Sequence, residues 1–470
     1  MKKTLAAASI AACFALGTLP AWAESFDVVV IGSGGAGLSA SIMAKESGAS
    51  VVVLEKQAYI GGNTNFSSGG MNAAGTKQQI AAGVTNDSPQ RFYDDTMKGG
   101  HNLNNPALLR TLTENAKYSE EWLLDLGADF CFRKGRGGGQ SVARGHGPCD
   151  GSAVGPMILK TLTARTTKDG IEIRKRNNVV DITMKDGKVS GVKVQTPQGE
   201  QTIDAKAVVL ATGGFGANMD MITKYRPELK GFSTTNHPGA TGDGLKLAEK
   251  LGASFTDIEQ IQIHPTVVKK DGHLISESMR SRGAILVNQD GKRFTNELQT
   301  RDVVSQIELK QPTGSVWIVW DSEIYKTNKL ARGYYEQGYA VKGDTLDELA
   351  KKMDVPAANL KATFKDYRKA YDTKKDTAFG RPEMVIPLDV APWYAVHVTP
   401  GIHHTMGGVT INPQTQVISK KGQPIPGLYA AGEVTGGVHG GNRIGGNAVA
   451  DIVTFGRIAG TNAAKYALGK

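Results

Sequence analysis

Cysteine is scarce in this sequence, and no cysteine motif for a metal or haem occurs. The 470 residues contain three cysteines, and none of them stands in a CxxC or CxxCH pattern. CxxC pairs hold zinc ions and iron–sulfur clusters, and CxxCH attaches c-type haem. The sequence therefore predicts no metal site and no haem of its own. Cys131 and Cys149 flank a glycine-rich loop, and a disulfide or two free thiols are equally compatible with this spacing.

Long apolar runs are also missing, except at the N-terminus. Lys2 and Lys3 precede an apolar stretch over residues 5–19, and Ala21-Trp22-Ala23 follows it. This order is typical of a secretory signal peptide with its cleavage site. The stretch is shorter than the about 20 residues that span a bilayer, although an uncleaved anchor helix is the alternative. We expect cleavage after Ala23, a mature chain without a membrane span, and a location in the periplasm.

Basic residues form no dense run, although the chain is positively charged. Lys and Arg number 55 against 45 Asp and Glu, for a formal net charge of +10. Nucleic-acid-binding domains concentrate such charge in one patch or arm, so nucleic acid is not an expected partner. An anionic small molecule or an acidic protein partner fits the dispersed charge better. The length and the 40% hydrophobic content predict a folded protein of two domains.

Glycine is abundant, with 58 residues, and one group of glycines forms a nucleotide-binding motif. Residues 26–31 (FDVVVI) read as a buried strand, and Gly32, Gly34 and Gly37 follow in a G-x-G-x-x-G pattern. A helix and a second strand ending at Glu55 complete a βαβ unit. Such glycines let a pyrophosphate approach the helix N-terminus, and the acidic residue accepts hydrogen bonds from ribose hydroxyls. A dinucleotide site is therefore expected.

NAD and FAD both bind this unit, and later glycines favour FAD. Gly61-Gly62 follow Glu55 closely, and a second apolar strand leads into the ATGG run at 211–214. This extended pattern resembles the flavoproteins that have two dinucleotide-binding domains. The predicted FAD contacts are Gly32, Gly34, Gly35, Ala36, Gly37, Glu55, Lys56, Gly62, Asn63, Thr64, Ser68, Gly69, Gly70, Ala211, Thr212, Gly213, Asp243, Glu433, Asn447 and Ala448.

The glycine-rich composition is interrupted by one long segment of different composition. Between 257 and 398 the GG pairs are few, and a hairpin is followed by helices rich in Lys, Ala and Leu. We therefore expect an α/β fold in which a discontinuous, Rossmann-like FAD-binding domain carries an inserted α+β capping domain. The expected parts are a signal peptide at 1–23, the FAD-binding domain at 24–256 and 399–470, and the capping domain at 257–398.

Four segments resemble one enzyme family. They are SSGGMNAA (67–74), QIQIHPT (260–266), the run from LISESMR to LQTRD (274–302), and the stretch from TPGIHHTMGG to GNRIGGN (399–447). They resemble the fumarate reductase and succinate dehydrogenase flavoproteins, and most closely the soluble periplasmic fumarate reductases of the flavocytochrome c type. The resemblance covers nearly the whole mature chain, without the haem domain that precedes the flavin domain in flavocytochromes.

The resemblance implies a pair of carboxylate-binding groups. His403 and Arg443 would hold one carboxylate of a substrate, and Arg443 can do so with two parallel hydrogen bonds. His264 and Ser276 would hold the second carboxylate, with Gln262 as a helper. The family usually has threonine at position 276, and serine keeps the hydroxyl with less restraint. The substrate implied is an α,β-unsaturated dicarboxylate, and most of all fumarate.

The resemblance also implies the chemistry. The flavin would deliver a hydride to one alkene carbon, and Arg301 would donate a proton to the other. Glu277 and Arg280 would then return a proton to Arg301. Asn63 stands where membrane-complex relatives carry a flavin-linked histidine, so the FAD is expected to be non-covalent. Because the chain has no haem motif, a separate c-type cytochrome is expected to supply the electrons.

Other functions stay open at this point. Urocanate, methacrylate or itaconate could replace fumarate as the acceptor, although a site for a monocarboxylate or an aromatic acid should lack His264. An aspartate-oxidase-like enzyme and a non-catalytic flavin carrier are the further alternatives. An export signal argues against the first of these, because amino-acid oxidation for biosynthesis is cytoplasmic. The proton-donating set argues against the second, because a pure electron carrier needs no acid.

Overall fold

The structure, a computed structural model, describes residues 24–470, and the predicted signal peptide lies outside them. Several of its strands are apolar runs that are followed by glycine-rich turns in the sequence. In chain order the strands are β1 (Glu24–Ile31), β2 (Val51–Glu55), β3 (Met71–Asn72), β4 (Phe130–Arg133), β5 (Gly145–Pro148), β6 (Glu172–Lys175), β7 (Asn178–Lys185), β8 (Lys188–Thr196), β9 (Gly199–Leu210), β10 (Phe255–Thr256), β11 (Ile261–Val267), β12 (Ile285–Val287), β13 (Val316–Asp321), β14 (Val341–Gly343), β15 (Trp393–Thr405), β16 (Gly408–Thr410), β17 (Gln416–Ile418), β18 (Pro424–Ala430) and β19 (Thr435–Gly436).

Helices connect these strands and cover the sheets. They are α1 (Gly35–Glu46), α2 (Lys77–Ala81), α3 (Pro89–Gly99), α4 (Pro106–Asp125), α5 (Val154–Lys168), α6 (Met219–Tyr225), α7 (Asp243–Lys250), α8 (Ser278–Ser281), α9 (Arg301–Leu309), α10 (Ser322–Thr327), α11 (Lys329–Glu336), α12 (Leu346–Met353), α13 (Ala357–Thr373) and α14 (Asn447–Ala467), with short 3₁₀ turns at Gly62–Phe66 and Pro227–Leu229. No helix within 24–470 combines the length and the apolar character that a membrane crossing requires.

The predicted βαβ unit is confirmed, and it forms the centre of an eight-stranded sheet. Strand β1 lies between β2 and β9, and all three run parallel. Strands β6 and β18 extend this parallel core, while β7 and β8 form an antiparallel meander onto β9. Val28, Val29 and Val30 are completely buried, as is typical of a parallel strand covered on both faces. Helices α1 and α14 pack together beside this sheet.

The turn after β1 requires glycine for steric reasons. Gly32 has φ +105°, and a Cβ atom there would lie 2.4 Å from the carbonyl oxygen of Ala211. A Cβ atom at Gly37 would lie 1.9 Å from the carbonyl oxygen of Gly32. These contacts are shorter than atoms tolerate, so the first turn of α1 packs directly against the end of β1. The helix N-terminus consequently opens at the carboxyl end of the parallel strands.

A second, five-stranded antiparallel sheet belongs mainly to the inserted segment. Its order is β11-β15-β13-β12, and β14 also pairs with β15. A separate hydrophobic core surrounds this sheet, from Ile275 to Val398, whereas Ile261 and Ile263 pack in the core of the first domain. Strand β15 crosses between the two parts, because its residues 393–398 pair with β13 and 399–405 pair with β11. The predicted domain boundaries at 257 and 398 stay predictions.

The glycine-rich loop of the sequence is bounded by a small three-stranded sheet. Strand β5 pairs with β3 and with β4, and Cys131 lies opposite Gly147 in the β4–β5 register. Cys131 and Cys149 form a disulfide, so the question that the sequence left open is answered in favour of the bond. The loop at 134–139 leaves this sheet and contacts the inserted segment, where the Gly139 amide donates to the carbonyl of Leu298.

Candidate active site

A cleft at the carboxyl ends of β1, β2 and β9 contains most of the predicted FAD contacts. Helix α1 begins beside it; Gly34 at the helix start has no side chain to cap the first amides, and among them the Gly35 amide donates to the Thr64 hydroxyl at 3.0 Å. Free amides at a helix start are a suitable binding site for a pyrophosphate. The predicted residues that line the cleft are Gly32, Gly34, Gly35, Ala36, Glu55, Lys56, Gly62, Asn63, Thr64, Ala211, Thr212, Gly213, Asp243 and Glu433. The shape and the polar groups therefore fit a dinucleotide.

The remaining predicted contacts lie around this cleft. Gly37 packs beneath Gly32 and does not line the cleft. Gly69 and Gly70 line an adjacent cleft, and Ala448 lines a cavity shared with His403 and Arg443. Ser68 and Asn447 are buried outside these cavities. The sequence did not point to the other cleft residues Asn177, Asn178, Val179, His237 and Ile452, although the Asn-Asn pair at the start of β7 is a polar signal at a strand end.

Glu55 and Lys56 are held in place by hydrogen bonds of their own. The Ser33 hydroxyl donates to Glu55 Oε2 at 2.6 Å, and the Gln57 amide donates to Oε1 at 2.8 Å. Lys56 Nζ donates to Asp243 and to Thr241, which ties β2 to the start of α7. The buried Glu55 carboxylate is thus fixed at the end of β2, as the ribose-binding assignment requires.

Asn63 has both ends of its amide engaged. Its Oδ1 accepts from the His237 amide at 2.9 Å, and its Nδ2 donates to Asn236 Oδ1 at 2.5 Å and to Glu433 Oε2 at 3.3 Å. Burial raises the pKa of Glu433, although hydrogen bonds from Thr405 and Asn63 oppose this effect. An amide has no nucleophilic nitrogen, so this position offers no atom for a covalent bond to a flavin.

His264 and His403 lie next to each other. Their strands, β11 and β15, are paired, and the two ring centroids are 5.0 Å apart. His264 Nδ1 accepts from the Thr266 amide at 3.2 Å, which leaves the buried Nε2 without a partner among the described residues. His403 Nδ1 lies 2.7 Å from the Thr235 hydroxyl. Burial, and then the charge of Arg301, hold the pKa of both rings well below 6.5, so both are neutral.

Arg443 is a buried cation without an acidic partner. It lies in the glycine-rich segment before α14 and is 4% exposed. Within 24–470 its guanidinium makes no ion pair; it donates only to the carbonyl of Ile444, at 3.3 Å, and its Nε has no partner. Burial, and then the charge of Arg301, lower its pKa to about 9. His403 and Arg443 line the same cavity, so an anion placed there would reach both.

Arg301 begins helix α9 and is bonded into a chain of polar groups. Its Nε donates to Glu277 Oε2 at 2.5 Å, and its Nη1 donates to Gln262 Oε1 at 3.0 Å. Gln262 in turn donates to the carbonyl of Arg443 at 2.7 Å. The neighbouring Asp302 pairs with His101 instead of with Arg301. The guanidinium of Arg301 is therefore directed inward, toward the histidines and Arg443.

Glu277 connects Arg301 to Arg280. Its Oε1 accepts from the Gly138 amide at 2.8 Å, and its Oε2 lies 3.8 Å from Arg280 Nη2. Burial opposes ionisation of Glu277, but the charges of Arg301 and Arg280 outweigh it and lower the pKa to about 2. Arg280 is almost fully buried, and its Nη1 donates to the carbonyl of Glu297. The three predicted catalytic residues thus form one continuous arginine–carboxylate–arginine chain.

Ser276 immediately precedes Glu277 and is 1% exposed. Its amide donates to the Tyr334 hydroxyl at 2.9 Å, and its own hydroxyl oxygen accepts from the Ser278 amide at 3.3 Å. The Ser278 hydroxyl also donates to this oxygen, at 3.0 Å. Because the oxygen is already an acceptor, the Ser276 hydroxyl hydrogen is available for another group.

A dinucleotide cleft that adjoins buried cations and an arginine–carboxylate–arginine chain is an arrangement expected of a redox enzyme. The comparisons with known proteins identify the class more closely. Residues 27–449 match the family described as FAD binding domain. The chain belongs to this family, and within it to the fumarate reductase and succinate dehydrogenase flavoproteins. It is an FAD-dependent oxidoreductase of the fumarate reductase type.

Individual relatives cover nearly the whole chain. It is 48% identical over 451 residues to an NADH:fumarate oxidoreductase of Klebsiella pneumoniae, and 48% identical over 449 residues to a probable fumarate reductase of Shewanella frigidimarina. Each alignment covers 95% of this chain, but 48% of the first relative and 76% of the second. The chain thus spans about half the length of the Klebsiella protein. A flavocytochrome c3 fumarate reductase in an open conformation has a TM-score of 0.78, at 48% identity over 95% of this chain and 79% of its own.

Proposed function

We propose that this protein reduces an α,β-unsaturated dicarboxylate, and specifically fumarate to succinate. The observation that carries the proposal is the buried, unpaired charge of Arg443, next to two neutral histidines and Arg301. An unpaired buried cation is costly unless an anion joins it, so the site requires an anionic ligand. The names of the two relatives support fumarate as that ligand.

Two groups of residues would bind the two carboxylates. His403 and Arg443 line one cavity and would hold the first carboxylate. The unpartnered Nε2 of His264 and the hydroxyl of Ser276 would hold the second carboxylate. Gln262 would position Arg301 and Arg443, because its side-chain amide accepts from Arg301 and donates to the carbonyl of Arg443. A neutral histidine must have a proton on the nitrogen that faces a carboxylate. The Thr266 amide donates to His264 Nδ1, which leaves the proton on Nε2.

Arg301 would supply the proton that completes the reduction. FAD, when bound in the cleft, supplies the hydride. Negative charge then develops at the other alkene carbon, where the fixed guanidinium of Arg301 stabilises it. The resulting carbanion is a strong base, so the guanidinium can also release a proton to it. Arginine is a very weak acid in water, with a pKa above about 12. Proton transfer from Arg301 therefore depends on exclusion of water from the site and on the basicity of the carbanion. Glu277 and Arg280 would return the proton to Arg301 through the chain of contacts between them.

The proposal includes the cofactor attachment, the electron donor and the location. The engaged amide of Asn63 supports non-covalent FAD. The absence of CxxCH from the 470 residues supports an external donor, which we propose is a c-type cytochrome. The Cys131–Cys149 disulfide supports an oxidising compartment, in agreement with the predicted export to the periplasm.

The decisive experiment is turnover of the FAD-loaded protein with reduced viologen as the donor. Fumarate, urocanate, methacrylate and itaconate are compared as acceptors in this anaerobic assay, and oxygen is tested separately, without viologen, against the reduced flavoprotein. We expect the highest kcat/KM with fumarate. Reoxidation by oxygen alone would indicate an oxidase, and no reoxidation by any acceptor would indicate an electron carrier.

Cofactor attachment is tested separately by acid precipitation. Non-covalent FAD should remain in the supernatant, whereas a yellow pellet would contradict that part of the proposal.

A further inference from the structure

A second cleft, of about 490 Å³, opens beside the proton-donating chain. Its lining includes Gly69, Gly70 and Gly446 together with Glu277 and Arg301. The disulfide cysteines, Arg133, Lys134 and, from the inserted segment, Arg282 also line it. Known ligand sites have volumes of about 300–1,000 Å³, so this cleft is large enough for a ligand of its own. The carboxylate-binding residues His264, His403 and Arg443 do not line it.

Arg133 is fixed in this cleft by backbone groups alone. It ends strand β4, whose Cys131 is linked to Cys149, and its guanidinium lies over Gly147, where a Cβ atom would be 2.2 Å from Nη2. Nη1 donates to the carbonyl of Gly69 at 2.7 Å, and Nη2 donates to the carbonyl of Ser152 at 3.3 Å. The buried Nε has no partner within the described residues. The side chain is therefore positioned, but its charge is not neutralised.

Arg282, from the inserted segment, lines the same cleft. It follows α8, and its guanidinium has no hydrogen bond or ion pair to any residue in 24–470. Burial lowers the pKa of both arginines, and at Arg133 the positive charge of Arg282 adds to the effect. Two like charges that repel each other in a partly buried cleft are unfavourable unless an anion lies between them.

The acidic residues of this cleft do not neutralise these arginines. Glu277 is paired with Arg301, and Asp150 is paired with Lys329 at 2.6 Å. Both carboxylates in the cleft are therefore already matched by other cations. What remains is the charge of Arg133, Arg282 and Lys134.

We propose that Arg133 and Arg282 form an oxyanion subsite next to the reaction centre. The ligand is an oxyanion: either a third carboxylate of an unsaturated acid whose alkene lies at Arg301, or a free oxyanion. For a three-carboxylate acid the proposal rests on the proposed function, and the reaction is unchanged, because the alkene gains one hydride and one proton. The enzyme would then accept a substrate with an additional carboxylate, which a closed site that fits only a four-carbon dicarboxylate would exclude.

The first test compares two acids by turnover in the wild type and in Arg282→Gln. The acids are fumarate and propene-1,2,3-tricarboxylate, with reduced viologen as the donor. We expect the wild type to reduce the tricarboxylate. We define the selectivity as kcat/KM for the tricarboxylate divided by kcat/KM for fumarate. Arg282→Gln should lower this ratio by about 10- to 100-fold, because a hydrogen bond to a charged group is lost. Arg282→Lys should restore part of the ratio. Lys188→Gln, in the distant β7–β8 hairpin, removes the same charge from the surface and should leave the ratio unchanged.

A second test needs no turnover, so it remains valid if fumarate is not the substrate. Sulfate is titrated against the FAD-loaded protein, and its stabilising effect on Tm is measured. If sulfate raises Tm less in Arg282→Gln than in the wild type and in Lys188→Gln, the cleft binds a free oxyanion; the increase that Arg282→Gln retains measures the general stabilising effect of sulfate and its binding at Arg443. This result supports the subsite even when the tricarboxylate is not reduced.

The proposal is overturned if Arg282→Gln changes neither the tricarboxylate ratio nor the effect of sulfate on Tm. Failure of fumarate turnover with a retained sulfate effect would instead overturn the proposed function and leave the subsite intact. Arg133→Gln serves as a second variant, with FAD content as its folding control, because Arg133 also anchors Gly69.

Discussion

Replacement of Arg301 by alanine should stop the reaction without emptying the FAD site. Arg301 contacts Glu277 and Gln262, and it lines none of the cleft in which FAD is predicted to bind. Removal of a group that transfers a proton costs about 10²–10⁴ in rate, and removal of a fixed charge at the reaction centre costs about 10²–10³. Because one side chain performs both roles, we expect kcat to fall by at least about three orders of magnitude, with normal FAD content.

The same substitution also changes Glu277. The charge of Arg301 is the largest of the effects that lower the pKa of this buried carboxyl, so the pKa should rise in Arg301→Ala. A carboxylate that has lost its ion-pair partner then becomes costly to bury, and we expect a lower Tm. Arg301→Lys should keep part of the activity, because lysine retains the charge and can itself donate a proton.

The assay is single-turnover oxidation of the reduced flavoprotein by fumarate, followed by absorbance. Asp302→Asn is the matched control, since this neighbour on the same helix turn pairs with His101 outside the proposed site, and its rate should remain near that of the wild type. Near-normal turnover by an FAD-loaded Arg301→Ala would refute the assignment. His264, with its free and buried Nε2, would then be the next candidate for the acid.

Three further predictions concern pH, selectivity and motion. The folded pKa values of His264 and His403 lie below 6.5, so the unfolded chain binds more protons than the folded chain as the pH falls below that value. The free energy of unfolding should then fall by up to about 1.4 kcal/mol per pH unit for each ring. In equilibrium unfolding, His264→Gln should show a smaller dependence of this free energy on pH. Fumarate should exceed acrylate by about 10- to 100-fold in kcat/KM, because acrylate leaves a buried donor unpaired, and His264→Ala should narrow the difference; equal values in the wild type would contradict the carboxylate assignment. Hydrogen exchange near Asp257 and Thr399 should slow when a substrate analogue closes the inserted segment onto the site, whereas equally slow exchange with and without it would count against a hinge there.

The nucleotide half of the molecule could be predicted from local sequence. Val28–Val30 form a buried strand because nothing in the run interrupts its apolar character, and Gly32 and Gly37 follow at positions where a Cβ atom has no space. The pattern and its steric reason lie within a few residues of each other. Local sequence is therefore sufficient to predict the βαβ unit, whereas the prediction of FAD over NAD rested on the resemblance of the extended glycine pattern to known flavoproteins.

The substrate half could not be predicted in this way. His264 and His403 become neighbours only because β11 pairs with β15, and this long-range pairing has no local signature. Their assignment depended on a resemblance to a family. The disulfide was undecided for the same reason, since it depends on the pairing of β4 with β5. The charged cleft around Arg133 and Arg282 was not anticipated, because it forms only when the inserted segment packs on the glycine loop.

The paired strands β11 and β15 also bear on how such an enzyme could change its substrate. His264 and His403 are attached to one hydrogen-bonded ladder, so the backbone sets the separation of the two proposed anion-binding positions. A substitution at 264 would therefore alter one position without moving the other, and it would leave Arg301 on its separate helix. Acceptor preference could then change by exchange of single side chains on β11, while the proposed proton-donating chain stays in place.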